Sequence, residues 1–216
     1  MGAAPGTAAI TGSGEAETPV RLGDLAPGGL RPGAAVAVER DLPLLLALGA
    51  EAAGGRAGWA AVGLPSLGVL AARHAGLDLG CGVRVDAPGA RWPQVVGHLV
   101  AARVPVIMLG VTEPPPGRVR ARITAQLRTG GAVLLAAGPW KGADLRFRVT
   151  GAVWEGLGRG HGVLRHRLVT VEVSGRGAAG GVPRRAQWWL PGPYGAQPVA
   201  GGPLATHGGG GMRVVG

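Results

Sequence analysis

The sequence is poor in cysteine and in long apolar runs. One cysteine among 216 residues excludes an intrachain disulfide and a cysteine-rich metal cluster. We expect this residue, Cys81, to be a small buried hydrophobe at the edge of a strand. Gly, Pro or a charged residue interrupts every apolar stretch, so none reaches the roughly 18 to 20 residues that span a bilayer. The first twenty residues also lack the basic start and apolar region of a secretory signal. We therefore expect a cytoplasmic protein.

The common catalytic residue patterns are absent as well. None of the three serines lies in a G-x-S-x-G sequence, and Cys81 has no evident base nearby. The five histidines show no H-E-x-x-H or similar spacing. His161 and His166 are five residues apart, and a loop or solvent-facing position explains them better than a zinc site. We expect no catalytic, cofactor-binding or metal-binding residues and no enzyme activity.

Acidic residues are scarce in the second half of the chain. Residues 117–216 carry 14 arginine and lysine residues against three acids, whereas residues 1–116 carry 8 arginines against nine acids. The formal net charge of +10 therefore comes from the second half. This asymmetry favours a polyanionic partner, nucleic acid first, although an arginine-rich genome would also raise the basicity.

Short apolar runs alternate with amphipathic segments through the first two thirds of the chain. Such alternation predicts βαβ units, which form a parallel sheet flanked by helices. The runs 104–109 and 132–137 lack polar alternation, as strands buried on both faces do. The predicted order is strand 34–39, helix 41–54, strand 58–63, helix 66–75, strand 81–86, helix 92–102, strand 104–109, helix 117–129 and strand 131–137.

From Lys141 the pattern changes to alternating polar and apolar side chains, which predicts a C-terminal antiparallel β-ribbon at the end of the sheet. The ends of the chain differ in composition from the rest. Residues 1–18 are small and polar, which predicts a disordered segment, and residues 193–216 are rich in Gly and Pro, which predicts a flexible tail. The expected fold is a single α/β domain over residues 19–192.

The stretch "GGLRPGAAVAVERDLPLLLALGAEA" (28–52) begins like the approach to a phosphate-binding loop but lacks the loop's chemistry. Such a loop needs glycines, a lysine for the phosphates and a Ser or Thr for Mg²⁺. After strand 34–39 no glycine occurs before Gly49, and there is no lysine, serine or threonine. A later buried strand should end in an acid that holds the metal. The strand "VPVIMLGV" ends instead in Leu109 and Gly110.

Several segments resemble the RecA family in order and spacing. "GGLRPGAAVAVE" is similar to the entry to the first RecA core strand, and "GRAGWAAVGLPSLGVLAARHAGLDL" to the following strand and helix. "VPVIMLGV" resembles the strand that bears the metal-holding acid, and "RVRARITAQLRTGGAVLLAAGPW" the approach to the second DNA-binding loop. The chain lacks both nucleotide-binding motifs, and "WWLPGP" follows the ribbon. In these features it most resembles actinobacterial ImuA′-type proteins, also called SulA-like. The resemblance covers roughly residues 20–195.

This resemblance implies a DNA-damage-induced accessory factor of mutagenic translesion synthesis that does not hydrolyse nucleotide. Its implied partner is an inactive Y-family polymerase of the ImuB type, through which it joins an error-prone DnaE-type polymerase and the sliding clamp. It could associate with the nucleoid after damage. The loop "TEPPPG" is far shorter than the first DNA loop of RecA, which argues against filament binding of the RecA kind.

Arginines are the candidate DNA contacts, and they would neutralise phosphates without reading sequence. The alternating pattern in the ribbon predicts that its arginine pairs share the face opposite the core, whereas a solvated basic surface is the alternative. The candidates are Arg118, Arg120, Arg122 and Arg128 on the helix, Lys141, Arg146 and Arg148 at the second-loop position, and Arg159, Arg165 and Arg167 on the ribbon.

Trp188 and Trp189 are adjacent, so in a strand they must face opposite ways. One can lie in the core, and the other, with neighbouring Arg184 and Arg185, could anchor a protein partner. Packing under the chain's own tail is the alternative. Trp140 and Trp154 are expected to pack where sheet and ribbon meet.

Three other functions remain open. These are a residual enzyme that binds nucleotide through an unusual loop, a SulA-like inhibitor of cell division, and a plain DNA-binding protein that needs no partner.

Overall fold

One mixed β-sheet of nine strands organises the part of the chain that the computed structural model describes, which comprises residues 22–26, 29–54, 57–157, 162–175, 182–192 and 195–199. The predicted alternation of strands and helices is confirmed. In chain order the first elements are β1 (Ala35–Val38), α1 (Leu42–Ala53), β2 (Trp59–Val62), α2 (Val69–His74), β3 (Gly82–Val85), α3 (Trp92–Ala101), β4 (Val106–Gly110), α4 (Gly117–Gly130) and β5 (Val133–Ala137).

Four further strands complete the sheet as an antiparallel extension, namely β6 (Leu145–Leu157), β7 (Gly162–Gly175), β8 (Arg184–Gly192) and β9 (Gly195–Pro198). The strand order is β3-β2-β4-β5-β1-β6-β7-β8-β9. Pairing is parallel from β3 to β6 and antiparallel from β6 to β9. The structure thus has the predicted class, a parallel sheet flanked by helices with a C-terminal antiparallel ribbon.

Two hydrophobic clusters cover the two faces of the sheet. On the first face, α1, α2 and the short 3₁₀ turn Leu22–Leu25 pack against alternate strand residues such as Val36 and Val38. On the second face, α3 and α4 pack against the intervening residues such as Ala35 and Ala37. The parallel strands are therefore buried on both faces, which explains their uniformly apolar sequences.

Helix α1 follows directly from its sequence. Asp41 caps its first turn, Pro43 is tolerated there because that turn lacks intrahelical acceptors for its N–H groups, and Gly54 ends the helix at φ +58°. The leucines Leu44, Leu45 and Leu48 are fully buried in the first cluster. They belong to the ordinary core between helix and sheet.

A bulge in β6 changes which side chains share a face. Val149 pairs with Val171, but Gly151 pairs with Thr170, so the alternation slips by one residue between them. As a result, Phe147 and Trp154 point to the same face, although residues seven positions apart in a regular strand face opposite ways. The first-face residues of the extension, such as Val169, Val171 and Val173, belong to the first hydrophobic cluster.

The structure differs from the sequence predictions at two further points. Cys81 is exposed rather than buried, because it ends a 3₁₀ turn just before β3. Strand β9 lies beyond residue 192, where the flexible tail was expected to begin, since its residues pair with β8. The segments 1–18 and 200–216 lie outside the described residues. Among the residues described, no helix combines the length and apolarity that a bilayer crossing requires.

Candidate functional site

The carboxyl ends of the parallel strands form the edge at which α/β proteins of this kind bind ligands. Here the loop after β1 consists of Glu39, Arg40 and Asp41. Arg40 reaches across the edge, and its Nη2 donates to the carbonyl oxygen of Thr112 in the loop after β4, at 3.3 Å. The loops of this edge are therefore joined by contacts within the chain.

Asp41 makes the central contact of this edge. Its Oδ1 accepts a hydrogen bond from the backbone N–H of Leu44 at 2.9 Å, which caps α1. Nη2 of Arg167 donates to both carboxylate oxygens, at 2.8 Å and 2.7 Å. The two side chains are only 14% and 13% exposed, so this ion pair is largely withdrawn from solvent.

Arg167 is held from three sides. Besides the Asp41 pair, its Nε donates to the carbonyl oxygen of Leu190 at 2.8 Å, and its guanidinium carbon lies 5.6 Å from the centre of the Trp154 ring. Arg167 therefore serves the fold at this edge and does not form part of an exposed arginine face. Trp154 is 40% exposed and stands over Arg167, whereas Trp140 is buried in the second cluster.

A carboxylate thus stands where a phosphate-binding protein of this architecture places a phosphate. The first turn of a helix offers free N–H groups and a positive dipole end, which attract an anion. In this chain the anion is Asp41, and Arg167 neutralises it. Sequence reasoning missed this pair. An aspartate before an apolar run does signal a helix cap, but its partner lies 126 residues away and leaves no local signal.

The four helix arginines do not form one row. Gln126 and Gly130 of α4 face α3, where they meet Gly97 and Val100. Arg118 and Arg122 lie on the same four-residue row as these two and so turn toward α3. Arg128 lies on the opposite flank, where its backbone contacts Gly33 just before β1. Arg120 shares that flank by helical spacing, and its Nη1 donates to the carbonyl oxygen of Pro115 at 3.4 Å. The predicted single arginine face of this helix is therefore split in two.

The ribbon arginines are also divided between the two faces. Arg146 and Arg148 pair with Ser174 and Glu172 on the second face, whereas Arg167 pairs with Trp154 on the first. The predicted continuous patch of these side chains is wrong, because Arg148 stands opposite Glu172, and Arg167 is five positions from Glu172 along β7 and so points to the other face. Lys141 is exposed in the loop before β6. The described residues include neither Arg159 nor the side chain of Arg165.

Glu172 is a buried acid clamped between two arginines. Its side chain is 4% exposed, and its two oxygens pair with Arg148 at 2.6 Å and Arg185 at 2.6 Å. Burial by itself raises the pKa of this carboxyl. The hydrogen bonds and positive charges of Arg185 and Arg148 outweigh that effect and hold its pKa below the ordinary value of 4.5. The carboxylate is therefore charged at neutral pH and fixes both guanidinium groups.

Trp188 and Trp189 face opposite ways, as predicted. Trp188 is 3% exposed and belongs to the first cluster, so it is a core residue and not a partner anchor. Trp189 pairs with Leu168 and is half-buried on the second face. Arg185 shares that face through Glu172, whereas Arg184 pairs with Val173 and points to the first face.

The second face of the extension is a distinct surface, which we call the open face. In the described part of the chain, none of its residues belongs to either hydrophobic cluster. Strand pairing brings these residues together from β6, β7, β8 and β9. The open face comprises Arg146, Arg148, Val153, Leu168, Thr170, Glu172, Ser174, Arg185, Gln187, Trp189 and Gln197.

An apolar groove of about 590 Å³ lies on the first face, beside the Asp41 edge. Its walls come from α1, from α2 and the loop before it, and from the end of β8 with β9. Leu46, Leu67 and Pro191 contribute apolar surface, and His166 contributes a polar edge. Helix α2 also exposes Val69 (46%) and Leu70 (63%), so apolar surface continues outside the groove.

Comparison with known proteins relates the chain to a domain family and to a mycobacterial protein. The family model of the MT3502 N-terminal domain matches residues 24–142, which hold the parallel part of the sheet and its helices. The uncharacterized protein Rv3395c of Mycobacterium tuberculosis is 34% identical over 177 residues, an alignment that covers 74% of this chain and 82% of the relative. That alignment is longer than the family match.

Proposed function

The chain belongs to the family of the MT3502 N-terminal domain, and we propose that it is a non-catalytic RecA-like accessory protein of the mutagenic translesion synthesis complex. In this proposal it binds an inactive Y-family polymerase of the ImuB type, and through it an error-prone DnaE-type polymerase and the sliding clamp. The resemblance of its strand and helix sequences to ImuA′-type proteins supplies these partners. Direct contact with DNA would be electrostatic and independent of sequence.

The Asp41–Arg167 pair is the observation that carries the proposal. A nucleotide bound at the first turn of α1 would bring phosphate charge against the Asp41 carboxylate, which is already bonded to the helix and to Arg167. Accommodating the nucleotide would require breaking a largely buried ion pair, at a cost of about 3 kcal/mol or more. The pair therefore disfavours nucleotide binding at this edge, which supports a non-catalytic role.

The apolar surface of α2 supports a protein partner. Exposed apolar patches on a folded domain are typical of interaction sites, and here two large apolar side chains on α2 stand next to a groove lined by apolar residues. We assign this surface to the polymerase partner.

Copurification tests the proposal. The tagged chain and an ImuB-type polymerase from the same genome would be coexpressed, and the ratio of the two proteins would be measured after affinity capture. Leu70→Asp should lower the captured polymerase at least tenfold, because it places a charge in the apolar surface. Val182→Asp is the matched control, since Val182 is 61% exposed on another part of the chain. Capture of the polymerase by neither wild type nor control would refute the adaptor proposal.

Two further measurements separate the alternatives. Titration with ATP and Mg²⁺, followed by tryptophan fluorescence, should show no saturation up to millimolar concentration, whereas saturation at micromolar concentration would favour a residual nucleotide enzyme. Capture from DNA-damaged cells should recover the polymerase. Recovery of FtsZ without polymerase would favour a SulA-like inhibitor of cell division.

A further inference from the structure

We propose that the open face is a binding platform for single-stranded nucleic acid. In this platform Trp189 stacks on a base, while Arg146, Arg148 and Arg185 contact phosphates. This inference specifies where and how the protein would make the DNA contact named in the proposed function. It rests on that function only for its role in translesion synthesis.

The charge of the open face favours a polyanion. Three arginines lie on it, and Glu172 is the one acid among those of its residues whose side chains the structure describes. That acid is 4% exposed and covered by the arginines that bind it, so the surface presents guanidinium groups to solvent. An arginine carries five N–H donors. Arg148 uses Nε and Nη2 on Glu172 and remains 45% exposed, which leaves donors for a phosphate.

Glu172 also fixes the arginines in place before a ligand arrives. A free arginine side chain loses conformational entropy when it is ordered on a phosphate. Here the buried carboxylate already orders two guanidinium groups, one on β6 and one on β8, the strands on either side of β7. Binding therefore costs less ordering than it would on an ordinary basic surface.

The apolar part of the open face fits bases. Trp189, Leu168 and Val153 lie together across three strands, outside both hydrophobic clusters. Gln187 and Thr170, a directly paired couple, offer hydrogen-bonding groups between the arginines and this apolar end. A sheet that presents an aromatic ring, arginines and amides is typical of single-strand recognition, in which bases stack and phosphates meet positive charge. A duplex would hide its bases from Trp189.

Helix α4 extends the platform on one side. It lies on the same side of the sheet as the open face, and the backbone of Arg128 near its end contacts Gly33 just before β1. The exposed Lys141 stands in the loop that leads into β6. Arg128 and Lys141 therefore add positive charge on the side of the platform that carries its arginines, away from its apolar end at Trp189.

Fluorescence anisotropy with a labelled 20-nucleotide thymidine oligomer tests the proposal on the full-length protein. Binding would be measured between 50 and 200 mM salt, for wild type and for Arg146→Gln and Trp189→Leu. Trp189→Leu should weaken binding at least about fivefold through loss of stacking. Arg146→Gln should lower the slope of log affinity against log salt by about 0.7, as the loss of one phosphate contact does. Thermal melting would confirm that each variant is folded.

Two matched controls lie on the first side of the sheet. Arg73→Gln removes an exposed arginine on α2, and Trp154→Leu removes a partly exposed tryptophan from the first face. Both should bind like wild type. Equal affinity of all five proteins, or no binding of the oligomer at 50 mM salt, would overturn the proposal. So would competition by polyglutamate as strong as by the unlabelled oligomer, since it would indicate an acidic protein as the occupant.

The outcome is separable from that of the proposed function. A Trp189→Leu variant that loses the oligomer but still captures the polymerase supports the platform and leaves the adaptor function intact. Oligomer binding at the open face by a chain that captures no polymerase would refute the adaptor function alone.

Discussion

Replacing Asp41 with Asn should destabilise the protein by about 2 to 3 kcal/mol. Asparagine caps a helix about as well as aspartate, so the cap on Leu44 is retained. The change removes only the charge that faces Arg167. At an effective dielectric of about 20, two unit charges about 4 Å apart attract each other by roughly 4 kcal/mol. Part of this is offset by desolvation. Because Arg167 is 13% exposed, it would be left nearly buried without its counter-ion.

A double-mutant cycle measures this coupling directly. Asp41→Asn, Arg167→Met and the double variant would be unfolded in urea and followed by circular dichroism. Methionine keeps an apolar stem under Trp154. The coupling energy should be about 2 kcal/mol. The pair Arg84–Asp86 has the same 2.7 Å separation but is 30% and 51% exposed, so the same cycle there should give well under 1 kcal/mol. A coupling energy below about 0.5 kcal/mol would refute the conclusion that the Asp41–Arg167 ion pair stabilises the carboxyl edge of the parallel strands.

Three other changes test the remaining contacts. Glu172→Gln should lower the free energy of unfolding in urea by about 2 kcal/mol, since it removes the negative charge from the ion pairs with Arg148 and Arg185, which are partly open to solvent. An unchanged urea midpoint would contradict a stabilising role of these two ion pairs. Because the folded pKa of Glu172 lies below 4.5, its stabilisation is full above that pH and is lost as pH falls through the folded value. The urea midpoint should therefore drop less between pH 7 and pH 3.5 in Glu172→Gln than in wild type. Gly138→Ala should lower the melting temperature more than Gly142→Ala. At residue 138, where φ is +137°, the added Cβ would strike the Val111 carbonyl oxygen, whereas the space around residue 142 is open. Equal melting temperatures would argue against the close approach at residue 138.

The parallel core could be predicted because its signals are local. Each buried strand is a short apolar run, and each helix carries an apolar stripe such as Ile123 and Leu127. The opposite directions of Trp188 and Trp189 follow from the two-residue period of any strand. These features depend on neighbours in the sequence, so the amino-acid pattern alone was enough.

The candidate sites were harder to predict because they depend on strand register. Arg167 lies on the face opposite to Arg146 and Arg148 because the register places Arg148 opposite Glu172, and no residue type in that stretch requires this register. The pairing of Arg148 with Glu172 likewise depends on which residues of β6 and β7 stand opposite each other. A slip of one residue moves every later side chain to the other face. Composition therefore predicted a basic ribbon but not how its charges are distributed.

The Asp41–Arg167 ion pair, at the carboxyl ends of the parallel strands, also sets the position of the open face. Arg167 belongs to β7, and Asp41 begins α1, so their bond ties the antiparallel extension to the first crossover of the parallel core. Arg167 also holds the end of β8 through the Leu190 carbonyl. The strands that carry Glu172 and Trp189 are thus braced against α1 from the first side of the sheet, while their second side faces solvent. Both partners of this ion pair belong to the chain, so the bracing does not depend on a bound ligand. This bracing favours the proposed platform, because a surface that is already rigid loses less conformational entropy when it binds a ligand.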